Sequence, residues 1–293
     1  MHESRAGLLI LQTTVLTAVA MFAFAANSLL CRLALQRGQI DPVSFACIRL
    51  VSGAITLAVI VRFRSERSAP GHVDWLAAAM LFVYAAFFSF AYLTLPAGTG
   101  ALILFGAVQL TMFSVGLRSG EKFGSAAWLG LAVAVAGLVY LVSPGIAAPP
   151  PLGAASMAIA GVAWGVYSLR GRGVADPLAA TAGNFARAAP FALLLSVLFI
   201  ASARTYANGA GVVLAIVSGA LTSGIGYVIW YAALSKLTAM RAATVQLSVP
   251  LIAAFGGVAF LSETITPRLV AASAAILGGI AMVLSSRSRK PRT

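Results

Sequence analysis

Residues 239–263 read AMRAATVQLSVPLIAAFGGVAFLSE. The stretch is apolar for about the length needed to cross a bilayer. It starts near a base, Arg241, and ends at an acid, Glu263, just before a helix-start signal, Thr266-Pro267. Its middle carries an amide and a hydroxyl (Gln246, Ser248), a proline (Pro250) and a glycine pair (Gly256, Gly257). A helix that faces only lipid has no use for these groups. A helix that bends and lines a polar cavity does. The stretch therefore predicts one wall of a transport pathway, with Pro250, Gly256 and Gly257 as its hinge.

The rest of the chain has the same character. Of 293 residues, 60% are hydrophobic and 9% charged, against about 25% charged in a soluble domain. So little charge cannot cover a globular surface in water, and the chain reads as an all-α integral membrane protein. Ten apolar spans are expected, at 8–34, 43–62, 74–94, 98–117, 125–143, 152–170, 178–201, 211–233, 240–261 and 267–286. The first of them, preceded by Arg5, reads as a retained helix, being longer than a signal-peptide core. Cys31 and Cys47 lie in spans and read as small core residues.

The formal charge of +13 is explained by topology. With the N-terminus inside, inside segments hold fourteen of the twenty Lys and Arg, outside segments four, and the spans two, Arg49 and Arg187. That bias places both termini in the cytoplasm and leaves no call for a nucleic-acid partner. The partners expected are a small-molecule substrate and the lipid bilayer, with a monomer as the working unit.

Pro149-Pro150-Pro151 divides the chain into two sets of five spans, 1–148 and 149–293. An odd number per half puts the halves in opposite orientations. At an offset of 142, Gly98–Glu121 is the counterpart of the opening stretch, pairing Ala101 with Ala243, Phe113 with Phe255 and Glu121 with Glu263. Inverted repeats point to a secondary transporter with its site at the repeat interface.

These landmarks resemble the drug/metabolite transporter superfamily, specifically the ten-helix exporters built from two EamA-type repeats. The likeness rests on Phe24-Ala25-Ala26-Asn27-Ser28 and Ala163-Trp164-Gly165-Val166-Tyr167 in the first helix of each repeat. It rests also on Arg49 and Arg187 in the second, and on Gly120-Glu121 and Ser262-Glu263 before the last. The first half departs from the pattern: Ala26-Asn27 replaces Trp-Gly, and Val108 stands where the second half has Pro250. The resemblance implies export of small metabolites, often amino acids, across a bacterial inner membrane. Within the superfamily the chain is most similar to the aromatic amino-acid exporter type.

The seven acids all fall in loops or at span ends, and both histidines lie outside the spans. Intramembrane proton relays need an ionisable group at depth, so no carboxylate-based proton antiport is expected. Cationic cargo would want an acid, and phosphate cargo several deep bases. Neutral amides and rings remain, which suit a zwitterion with an apolar side chain. The expected substrate contacts are Gln246, Trp164, Gln109, Tyr84, Asn27, Tyr227, Ser248 and Tyr92. Arg49 and Arg187 are read as structural because they recur in both halves, and Glu121 and Glu263 as carboxylates at helix starts. The function expected is alternating-access export of zwitterionic metabolites, chiefly amino acids. The alternatives are an exporter of organic cations, drugs or other small metabolites and, from another class, a membrane-embedded enzyme. No nucleophile–base pair, metal cluster or cofactor motif supports the last.

Overall fold

The computed structural model describes residues 2–64, 74–120, 123–171, 174–234, 236–237 and 244–286. Among the described residues, ten helices are long and apolar enough to cross a membrane. They are α1 (His2–Gln36), α2 (Pro42–Arg62), α3 (Trp75–Tyr92), α4 (Ala97–Arg118), α5 (Ser125–Val142), α6 (Pro151–Arg170), α7 (Pro177–Ala201), α8 (Gly209–Leu234), α9 (Thr244–Leu261) and α10 (Pro267–Ser286). Among the described residues there is no sheet, only one isolated bridge, Ile40 to Ala207. The outward faces carry large apolar side chains such as Phe22, Ile55, Val197 and Phe255, all more than half exposed. In water that coat would be an association surface; in a bilayer it is the lipid contact.

Helix starts follow local chemistry. Asp41 caps α2, accepting from the Val43 and Ser44 amides, with Pro42 at the first position. Asp74 and Asp176 cap α3 and α7 in the same way, and the Thr266 hydroxyl caps α10 at the Leu269 amide. Each satisfies an amide that the helix leaves open.

The two halves do not form separate lobes. The main packing partners cross between them: α5 with α10, α3 with α6, α2 with α7, α4 with α6, and α9 with both α1 and α4. Small residues permit this. A side chain at Gly130 would strike the Gly279 carbonyl, and one at Gly137 would strike Ala275, so α5 and α10 meet almost backbone to backbone. Arg268 at the start of α10 donates to the carbonyls of Tyr140, Ser143 and Ile146 and so closes the C-terminal end of α5.

Two helices are irregular. In α8, Ser218–Ile225 is a π-helix, which nothing in its sequence announced. In α9 the helix is interrupted at Leu247: residues 244–246 and Ser248–Leu261 are helical, and the Leu247 amide donates to Thr244 O, three residues back. Pro250 explains that break: it has no N–H to offer, and in an unbroken helix its ring would clash with the carbonyl four residues back, that of Gln246. The expected mid-span bend at Pro250 is thus a break just before it. Gly256 and Gly257 lie in regular helix and serve close approach, to Leu29 and to the Glu263 carboxylate respectively.

Candidate functional site

Arg49 stands about two turns into α2, roughly 10 Å along the helix from Pro42. Its side chain is fully buried, with 2% of the residue exposed. Nε donates to Ser223 Oγ at 3.1 Å and Nη2 to Tyr84 Oη at 3.1 Å. The guanidinium carbon lies 5.0 Å from the ring centres of both Tyr84 and Phe88, within cation–π range. Nη1 is buried and has no hydrogen-bond partner among the described residues. No carboxylate pairs with this cation in the described structure.

The π segment makes this arrangement. Its i to i+5 bonding widens the turn, so Ser218, Thr222 and Ser223 share one face toward α1 and α2. Ser218 Oγ donates to Asn27 Oδ1 at 2.6 Å and Thr222 Oγ1 to the same oxygen at 3.3 Å. Asn27 Nδ2 then donates to Tyr84 Oη at 3.4 Å. A side chain at Gly219 would collide with Ser52 and the Arg49 carbonyl, so the glycine lets α8 press onto α2 at this level. The Tyr84 oxygen accepts from both Asn27 and Arg49, and its own hydrogen has no described acceptor.

Aromatic rings close around this polar group. Trp164, half-buried on α6, lies 4.8 Å from Tyr84 and 5.3 Å from both Tyr167 and Tyr227. Tyr227 contacts Phe24 and Phe185 edge-on. The cluster therefore draws on α1, α2 and α3 of the first half and α6, α7 and α8 of the second.

On the face opposite the N-terminus several helix ends are bonded to one another. Glu263 accepts from Arg32 Nε at 3.2 Å and from the Ala97 amide at 3.1 and 2.9 Å. Arg32 Nη1 also donates to the carbonyls of Tyr92 and Leu93. The ends of α1 and α3, the start of α4 and the end of α9 are tied together in this way. Glu263 was expected at a helix start, and it is at one, but that of α4 rather than the α10 that follows it. The cause is Ser262, whose left-handed φ of 55° turns the chain back over Gly257. Toward the N-terminal face, a cleft of about 400 Å³ opens between α1 and α9, lined by Thr13, Thr17, Met21, Phe22, Thr244, Ser248 and Ile252 among others. It ends one turn short of Phe24.

The structure brings Asn27, Tyr84, Trp164 and Tyr227 together. Tyr92 is buried near the end of α3, its hydroxyl donating to Ala97 O at 3.3 Å. Ser248 lines the cleft, and Gln246 and Gln109 are half-buried and make no described bond to the cluster. Glu121 lies outside the described residues. Arg187 is half-buried and folds back over Gly183, one turn toward the start of its helix. Sequence reasoning missed Ser218, Thr222 and Ser223 as site residues; the spacing Ser218-Gly219…Ser223-Gly224 was the only available signal.

No group of three or more metal-ligating side chains occurs among the described residues. Over 276 residues the chain is 53% identical to "Uncharacterized protein PA1977" of Pseudomonas aeruginosa, covering 94% of this chain and 96% of that protein. A solved structure described as "Crystal structure of protein" is similar in fold, with a TM-score of 0.65 at 19% identity, over 94% of this chain and 99% of that one. The sequence also matches the family described as "EamA-like transporter family" twice, over residues 12–143 and 151–285. The chain belongs to that family, and is a ten-span membrane transporter of small molecules within the drug/metabolite transporter superfamily.

Proposed function

We propose that the protein exports amino acids with apolar or aromatic side chains across a bacterial inner membrane, with both termini in the cytoplasm. The observation that carries this reading is the Asn27–Tyr84–Trp164–Tyr227 cluster, a polar centre inside an aromatic wall at the interface of the two halves. Rings hold an apolar side chain and attract an ammonium, and the amide and phenol serve the polar end. The cleft between α1 and α9 is the route of entry, with Ser248 on its wall. The Arg32–Glu263–Ala97 seal closes the other side, so the conformation is cytoplasm-facing. Pro250 and the break before it are the hinge at which α9 moves.

The test is counterflow of labelled phenylalanine, tryptophan and leucine into proteoliposomes, with lysine and a quaternary amine for comparison. The first three should exchange and the last two should not. Exchange of quaternary amines alone would point to a drug exporter instead. Exchange that persists undiminished without an imposed pH gradient is expected; strict dependence on one would contradict the reading of a carboxylate-free pathway.

A further inference from the structure

We infer that Arg49 is an anion subsite of the transport site, taking the carboxylate of the substrate on Nη1 with Tyr84 O–H as the second donor. This rests on the amino-acid reading and sharpens it: the recognised group is the carboxylate, so a cargo without one is refused.

A guanidinium held in the membrane interior is costly unless its charge is met and its donors are bonded. Among the described residues the charge is met only by dipoles and rings. Ser223 and Tyr84 take two of its nitrogens, while Tyr84 and Phe88 face its plane. Nη1 is left unbonded although it is buried. A merely structural arginine at this depth would bend toward the nearest face or bond a helix-end carbonyl. Arg187, at the matching place in the other half, does bend back along its own helix. Arg49 is instead fixed from two sides and keeps one donor open. The Tyr84 hydrogen, which has no described acceptor, lies beside it. One donor on the planar cation and one on the neighbouring phenol match the two oxygens of a carboxylate. The Trp164 ring, 4.8 Å from Tyr84, then lies where the side chain of such a substrate would rest.

The experiment titrates purified protein with L-phenylalanine, phenylacetate and phenethylamine, following tryptophan fluorescence. Both carboxylates should bind, and phenethylamine at least about tenfold more weakly. Arg49→Lys keeps the charge but loses the fork, and should weaken both carboxylates by about tenfold or more. Tyr84→Phe should weaken them by less. Size-exclusion profiles confirm that the variants are folded, and the wild-type panel stands without them. Phenethylamine binding as tightly as phenylalanine would overturn the subsite and leave amino-acid export standing. So would a monodisperse Arg49→Lys that keeps both carboxylates within about twofold. Phenylacetate binding that depends on Arg49, with no phenylalanine counterflow, would uphold the subsite and overturn amino-acid export. Absence of binding by either carboxylate overturns the subsite.

Discussion

Arg49 and Arg187 occupy matching places in the two repeats, yet they have opposite surroundings. Arg49 is sealed beneath two rings, a serine and a phenol, with a donor to spare. Arg187 is half-buried and lies along its own helix over Gly183. The difference comes from what each helix meets. The second helix of the first half packs on the π segment of α8, where Gly219 admits close contact and Ser223 turns inward. The helix of Arg187 meets no such segment among its described neighbours.

The largest effect should come from exchanging the two arginines for methionine separately. Arg49→Met should reduce phenylalanine counterflow by about a hundredfold, since it removes a charge contact and strands Ser223 and Tyr84. Arg187→Met should leave it within about threefold. Equal losses would erase the distinction.

Next is the aromatic wall. Trp164→Ala should lower binding of phenylalanine by roughly 1–2 kcal/mol, more than it lowers binding of alanine, because the ring contact is lost only for the aromatic substrate. Equal losses for the two would place Trp164 in packing instead.

A moderate effect is expected at the sealed face. Glu263→Gln removes the ion pair with Arg32 and weakens the cap on Ala97, costing about 1–3 kcal/mol of the closed state. A cysteine placed on α4 near Gly98 should label faster from outside in this variant. Unchanged labelling would mean that the seal does not hold the gate.

The smallest effect is at the N-terminal face, where Arg170 pairs with Asp74 and Arg64 with Asp176. Burial raises the Asp74 carboxyl, but the Arg170 hydrogen bond and the Ala77 amide outweigh it and hold it below its ordinary value. A lowered folded-state pKa stabilises above the unfolded value and ceases to do so as pH falls through the folded one. The melting temperature of wild type should therefore exceed that of Asp74→Asn slightly at pH 7, and the gap should close below about pH 4. A gap that widened in acid would contradict the assignment.

The ten spans, their inversion and the helix caps were legible because each depends on nearby residues: apolar runs, Asp-Pro pairs and Thr266-Pro267. The site was half legible. Asn27, Tyr84, Trp164 and Tyr227 stand out as polar or aromatic groups at depth. Gln246 stands out equally, yet it is half-buried in the short helical stretch before the turn at Leu247 and makes no described bond to the cluster. Recurrence in both halves suggested a shared structural role for the arginines. The fate of each was decided by long-range packing on α8, whose π turn has no local signature. Glu263 shows the same limit: a left-handed Ser262 sends it to a helix distant in sequence.

Equilibrium binding of labelled phenylalanine to purified protein tests the central claim most directly, with wild type compared with Arg49→Met, Trp164→Ala and Gln246→Ala. Saturable binding should be lost in Arg49→Met, weakened by roughly 1–2 kcal/mol in Trp164→Ala and kept unchanged in Gln246→Ala. Binding unchanged in Arg49→Met and Trp164→Ala, or lost only in Gln246→Ala, would contradict the buried cluster as the substrate site.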